Sequence, residues 1–112
     1  MLLRISRSIL EMERNLHVIS RKKLREAQEE HHGLNLDPWY RTAKASKWKN
    51  LQEVRQSYSS ADGVPVGERV YTVFNIAGNN FRLVTEIYYE QQTILVRHVL
   101  THSEYDKGDW KQ

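Results

Sequence analysis

The sequence predicts an α+β fold, two N-terminal helices followed by a small antiparallel sheet, in the order β-α-α-β-β-β with a short C-terminal helical turn. Three observations predict it. Capping signals and helical spacing fill the first half, apolar–polar alternation takes over near residue 70, and 112 residues suit a single domain of roughly 100–200 residues. No internal repeat and no shift of composition marks a second domain.

Leu16-His17-Val18-Ile19 carries β-branched residues and reads as the first strand. Ser20 follows as an N-cap, with Ile19 and Leu24 at the spacing of a hydrophobic staple, so a helix is expected to about Glu30, stopped near His31-His32-Gly33. Asp37 caps a second helix, and Pro38 sits at its first position, where the missing N–H costs nothing. Tyr40 and Ala43 then face the core, while Arg41, Lys44 and Lys47 share another stripe. Gln56–Gly67, rich in Ser, Asp, Gly and Pro, reads as an exposed loop.

Beyond that loop, Val70–Ile76, Phe81–Tyr89 and Thr93–Leu100 are three strands of an antiparallel meander. Ala77-Gly78-Asn79-Asn80 and Glu90-Gln91-Gln92 are short enough to turn them as hairpins. In the middle strand Phe81, Leu83, Thr85 and Ile87 share one face, leaving Arg82, Val84, Glu86 and Tyr88 on the other. Thr101-His102-Ser103-Glu104 has the capping-box pattern, which starts a helical turn ending near Gly108.

Composition excludes several classes. With no cysteine there are no disulfides, thiolate zinc sites, cysteine-ligated clusters or cysteine nucleophiles, and nothing indicates an oxidising compartment. Apolar runs such as Met1-Leu2-Leu3 and Ile94-Leu95-Val96 fall far short of the roughly 20 residues of a membrane span. Residues 1–15 are too often interrupted by charge for a secretory leader. They read either as a short amphipathic helix on Leu2, Ile5, Ile9 and Met12, or as an upstream extension with Met12 as the start. The net charge is +3, divided as +5 over residues 1–60 and −2 over 61–112, so the first half offers a basic surface to a polyanion or simply to solvent.

Metal chemistry has little support. His98 and His102 are four apart but fall in a strand and the turn after it, and Glu29 with His32 gives two ligands without a third, so neither metal nor cofactor is expected. Phosphate loops and nucleophile elbows are also absent. What remains is Arg82 and Arg97 in neighbouring strands, with His98, His102, Tyr105 and Lys107 at the C-terminal end. Cleaving an RNA phosphodiester without metal needs a base for the 2′-OH, cations for the crowded phosphate and an acid for the 5′-oxygen, and these residue types supply all three. The same residues also fit a plainer reading as strand-surface arginines, a half-buried histidine and a packed tyrosine.

Several segments resemble the HigB toxin family of bacterial type II toxin–antitoxin systems, within the RelE-like mRNA interferases: Val18-Ile-Ser-Arg-Lys-Lys-Leu24, Trp39-Tyr40, Trp48-Lys-Asn-Leu51, Val73-Phe-Asn-Ile76, Gly78-Asn-Asn-Phe-Arg-Leu83 and Arg97-His-Val-Leu-Thr-His-Ser-Glu-Tyr-Asp-Lys107. They span residues 16–107, which makes residues 16–112 one RelE-like domain and residues 1–15 an N-terminal extension, with Met12 favoured as the natural start. The resemblance implies a cytoplasmic endoribonuclease that cuts mRNA in the ribosomal A site, and a helix-turn-helix antitoxin that blocks it. By position Arg82 resembles the strand arginine that stabilises the transition state, while His102, Tyr105 and Lys107 resemble the cluster supplying acid, base or phosphate contacts.

One departure stands out. Where the RelE pattern places lysines before that arginine, this strand has Val73 and Asn75, and Asn75 binds a phosphate or base but is no acid or base. The base then falls to His102 or Tyr105. Arg97 joins Asn75 as an RNA contact, and Arg41, Lys44, Lys47 and Lys49 face ribosomal RNA backbone, with Trp48 either stacking on a base or, like Trp39, packing in the core. The competing expectation is a non-catalytic RNA- or ribosome-binding module on the same fold.

Overall fold

The chain runs β1 (His17–Ile19), α1 (Arg21–Glu30), α2 (Asp37–Ala45), α3 (Leu51–Ser57), β2 (Asp62–Val66), β3 (Arg69–Ile76), β4 (Phe81–Tyr88), β5 (Thr93–Thr101), α4 (His102–Lys107) and a closing 3₁₀ turn (Asp109–Lys111) in the computed structural model, which describes residues 16–112. The N-terminal extension, with its helix or its Met12 start, lies outside the described residues. Five strands form one sheet in the order β1-β5-β4-β3-β2. The expected meander is its centre, with Asn75 opposite Arg82 across β3 and β4, and Arg82 opposite Leu100 across β4 and β5. Left-handed backbone at Ala77, Gly78 and Asn79 makes the tight β3–β4 turn, a conformation that glycine and asparagine adopt most readily.

Five local expectations need correcting. Asp37 is no N-cap: Leu36 holds that position, Asp37 is the first residue of α2 with Pro38 second, and no side chain caps the helix. Gln56–Gly67 is not one loop: Gln56 and Ser57 end α3, and Asp62–Val66 pairs antiparallel with β3. Its Pro65 is tolerated because β2 is an edge strand, where a missing donor breaks no central ladder. β1 pairs parallel with β5, so the sheet is mixed rather than wholly antiparallel. Ser20 is no side-chain cap, since it takes a left-handed conformation with φ 77° and its hydroxyl bonds nothing at the start of α1. α2 ends at Ala45, which removes Lys47 from the Arg41–Lys44 helix stripe and leaves it, with Lys49, on the connection to α3.

The sheet separates two apolar layers. On one face Phe74, Leu83, Ile94 and Val96 meet Leu24 and Ala27 of α1, Trp39 and Ala43 of α2 and Val54 of α3. Trp39 packs edge-on against Phe74 at 5.4 Å and Trp48 stacks on it at 6.1 Å, both indoles almost fully buried. Trp48 is therefore core and unavailable to stack on a base. On the other face Tyr71, Val73 and Val84 are covered by Trp110 from the C-terminal tail, with Leu100 and Tyr105 beside them. The second layer carries the candidate chemistry.

Candidate active site

β4 aims Arg82 at the tail-covered face, as its alternation requires, because Val84 two residues on belongs to that layer. The Arg82 guanidinium donates to the Asn79 carbonyl at 2.9 Å and lies 5.8 Å from the centre of the Tyr105 ring, a cation–π distance. Its half-buried position at the β3–β4 turn leaves guanidinium surface open to an anion.

α4 brings the other groups to that turn. Thr101 Oγ1 accepts from Glu104 N–H at 3.1 Å and Glu104 Oε1 accepts from Thr101 N–H at 2.9 Å, a complete capping box that fixes where the helix begins. His102 N–H donates to the Asn80 carbonyl at 3.0 Å, pinning the helix to the same turn that Arg82 bonds. His102, Tyr105 and Asp106 follow at i, i+3 and i+4, so they share one helical face. His102 Nε2 lies 3.2 Å from Asp106 Oδ2, and both side chains are more than half exposed. Gly108, left-handed at φ 80°, then ends α4 and turns the chain so that Trp110 stacks on Tyr105 with ring centres 5.0 Å apart. Trp110 Nε1 donates to the Tyr105 carbonyl at 3.0 Å.

Two protonation states follow from this packing. Burial is the main cause that pushes the Tyr105 phenol above its ordinary value, aided by Asp62 and Asp106 and opposed by Arg82, so at neutral pH Tyr105 keeps its proton. Burial likewise pushes the His98 imidazole below its ordinary value, helped by the nearby Lys23 and Arg97 cations, and holds it neutral at pH 7. His98 lines an open groove with Leu100, Glu104, Lys107, Asp109 and Trp110.

The predicted residues thus divide. Arg82 and Tyr105 meet, His102 stands on the face of α4 that carries Tyr105, and Asn75 is opposite Arg82 in the ladder. Exposed Lys107 lies on the groove beside His98. Arg97 stands apart, its Nε 3.3 Å from Glu86 Oε1 toward the other end of the same face. Arg41, Lys44, Lys47 and Lys49 are exposed on the helical layer, across the sheet from the tail, with Arg41 3.9 Å from Asp37 and Lys44 over the Tyr40 ring at 5.7 Å. Sequence reasoning missed Glu86 and Asp106. The i, i+4 spacing of His102 and Asp106 was a readable signal, whereas the alternation marked Glu86 only as part of the polar face. Among the described residues no group of three His, Asp or Glu side chains could hold a metal ion.

Comparison with known proteins agrees with this architecture. Residues 33–108 match the HigB_toxin family, described as the RelE-like toxic component of a toxin–antitoxin system. The chain is 31% identical over 93 residues to the mRNA interferase toxin HigB of Escherichia coli (strain K12), covering 81% of this chain and 88% of that protein. It is 31% identical over 93 residues to the mRNA interferase HigB of Shigella flexneri, with the same coverage of 81% and 88%, and 28% identical over 94 residues to that of Escherichia coli O6:H1, covering 82% and 90%. With more than half its length inside the family match, and an α+β sheet carrying a capped C-terminal helix, the chain belongs to the HigB_toxin family of RelE-like toxins.

Proposed function

We propose that the protein is the toxin of a type II toxin–antitoxin system, an endoribonuclease that cuts mRNA without metal. One observation carries the assignment of roles: the Arg82 guanidinium, the Tyr105 ring and the His102–Asp106 pair are gathered at the β3–β4 turn. His102, whose Nε2 lies 3.2 Å from Asp106 Oδ2, takes the proton of the attacking 2′-OH. The 2′-oxygen bonds to phosphorus as the P–O5′ bond breaks, giving a cyclic phosphate and a 5′-hydroxyl. Arg82 neutralises the charge that builds on the phosphate, and Tyr105, which retains its proton, donates toward the departing 5′-oxygen. Lys107 and Asn75 bind neighbouring phosphate or base edges.

The working complex is mRNA on the ribosome in the cytoplasm, with Arg41, Lys44, Lys47 and Lys49 on ribosomal RNA backbone and a helix-turn-helix antitoxin as the blocking partner. Placement of those four cations across the sheet from the catalytic cluster supports a two-sided engagement, message on one layer and ribosome on the other. Primer extension on an mRNA in a reconstituted translation system, with and without ribosomes, tests it. Ribosome-dependent cuts that Arg82→Ala abolishes are expected. A protein that sediments with ribosomes yet makes no cuts would refute the nuclease in favour of a binding module.

A further inference from the structure

The least expected group on the sheet is Glu86. It lies in the central strand β4 with its side chain only 7% exposed, and two arginines from the flanking strands converge on it. Arg69 of β3 places a terminal nitrogen 3.2 Å from Glu86 Oε1, Arg97 of β5 places Nε 3.3 Å from the same oxygen, and the Tyr88 hydroxyl donates to Oε2 at 3.2 Å. Stability alone gives weak reason for a carboxylate here, because a buried ion pair is often no better than well-packed apolar side chains.

The backbone is shaped for the same cluster. Pairing between β4 and β5 slips at Val84/Thr85, so Val84 faces His98 while Thr85 faces Val96, and Arg97 is the additional residue of a bulge. The carbonyl freed at Arg97 accepts from Lys23 Nζ of α1 at 2.9 Å. Both the main chain and the side chain of Arg97 are thereby fixed, and Arg97 and His98 serve the same sheet face, one on Glu86 and the other beside Trp110. The Arg69 side chain is 56% exposed and that of Arg97 34%, so the carboxylate is hidden while the cations above it reach solvent. Among the described residues neither guanidinium has another charged partner, and the cluster of two arginines over one carboxylate keeps a net charge of +1.

We infer that Arg69 and Arg97, held over the buried Glu86 carboxylate, form a second RNA backbone-phosphate subsite, with the exposed Tyr88 ring beside it as a surface on which a base stacks. Glu86 is a positioning residue: it touches no RNA but aims the two guanidiniums at one anion. It lies four positions along β4 from Arg82, about 13 Å, so the subsite holds the message away from the bond being cut. This rests on the ribonuclease reading above and adds to it a residue whose effect has a counterintuitive sign.

Removing an acid from an RNA-binding face tightens binding if the acid only repels the backbone. Glu86→Gln instead weakens it here, because the paired arginines lose their common anchor. The measurement is fluorescence anisotropy on a single-stranded RNA carrying 2′-O-methyl groups that block cleavage, across a salt series, followed by cleavage kinetics on unmodified RNA. Arg69→Ala and Arg97→Ala are each expected to bind on the order of tenfold more weakly, the scale of one charge-assisted hydrogen bond, with the log–log salt slope shallower by about 0.7. Glu86→Gln is expected to move in the same direction. In cleavage all three raise KM with kcat little changed, whereas Arg82→Ala lowers kcat. Unchanged affinity and slope in both arginine variants, in a wild-type protein that binds and cuts, would overturn the subsite alone. Tighter binding by Glu86→Gln would overturn its positioning role, and a wild-type protein that neither binds nor cuts RNA would overturn this proposal together with the ribonuclease reading.

Discussion

Replacing Trp110 with alanine is expected to release the C-terminal tail from the sheet while leaving the helical layer folded. Trp110 is 8% exposed, stacks on Tyr105, meets Tyr71 edge-on at 5.7 Å and donates its indole N–H to the Tyr105 carbonyl. A buried aromatic ring of roughly 150–250 Å² at about 25 cal/mol per Å² is worth about 4–6 kcal/mol as an upper figure, since the unfolded chain already hides some of that surface. Truncation of a buried Trp accordingly costs about 3–5 kcal/mol. What would remain to hold α4 is its capping box, the His102–Asn80 backbone bond and the Arg82–Tyr105 cation–π contact, each worth about 1 kcal/mol. Those do not offset the conformational entropy of ordering residues 102–112, at about 1–2 kcal/mol of backbone per residue, so the tail opens as a local unit. Hydrogen exchange reads this directly: amides of residues 102–112 should lose protection while those of α1, α2 and β4 keep theirs. Trp39 and Trp48 both lie in the helical layer, so their fluorescence reports that layer alone in the variant. Cleavage should fall as far as in a Tyr105→Ala protein. Continued protection of residues 102–112, or loss of protection throughout the sheet at the same time, would refute the division into two layers.

Two further outcomes follow from the same packing. The lowered pKa of His98 means that the unfolded chain takes up a proton near pH 6.5 while the folded protein does not, so stability should decline as pH falls through about 6.5 toward the lower folded value and level off below it. Urea midpoints across that window test this, and His98→Phe should flatten the profile, whereas an identical slope in the variant would assign the effect elsewhere. Thr101→Ala removes the acceptor for Glu104 N–H and costs about 1 kcal/mol, so amides of α4 should exchange roughly fivefold faster with little change in the melting of the helical layer.

How much of this was legible depended on whether the signal was local. The capping box of Thr101 and Glu104, the αL glycine at 108 and the alternation of β3 to β5 are written in neighbouring residues, and the structure realises each of them. α3 had a local signal too: Asn50 accepts from Glu53 N–H at 2.9 Å, and the Asn-x-x-Glu spacing announces that cap. β2 was hidden because Asp, Gly and Pro favour turns on average, and only its edge position makes them acceptable in a strand. At the site, Arg82 and Tyr105 follow from strand parity and helix spacing, but the bulge that re-aims Arg97 depends on how two strands slip past each other. Burial of Glu86 under Arg69 and Arg97 depends on three strands at once, which no short window contains.

The parallel pairing of β1 with β5 has a consequence for how the molecule is born. His17 waits for Thr93, so β1, made before the other four strands of the sheet, is among the last to find its place. A chain synthesised through β4 already contains Arg82 but lacks Tyr105, His102 and the indole that seats them. On the proposed roles, the cluster at the β3–β4 turn is complete only once residues 102–110 have been made and Trp110 has docked, long after Arg82 is in place.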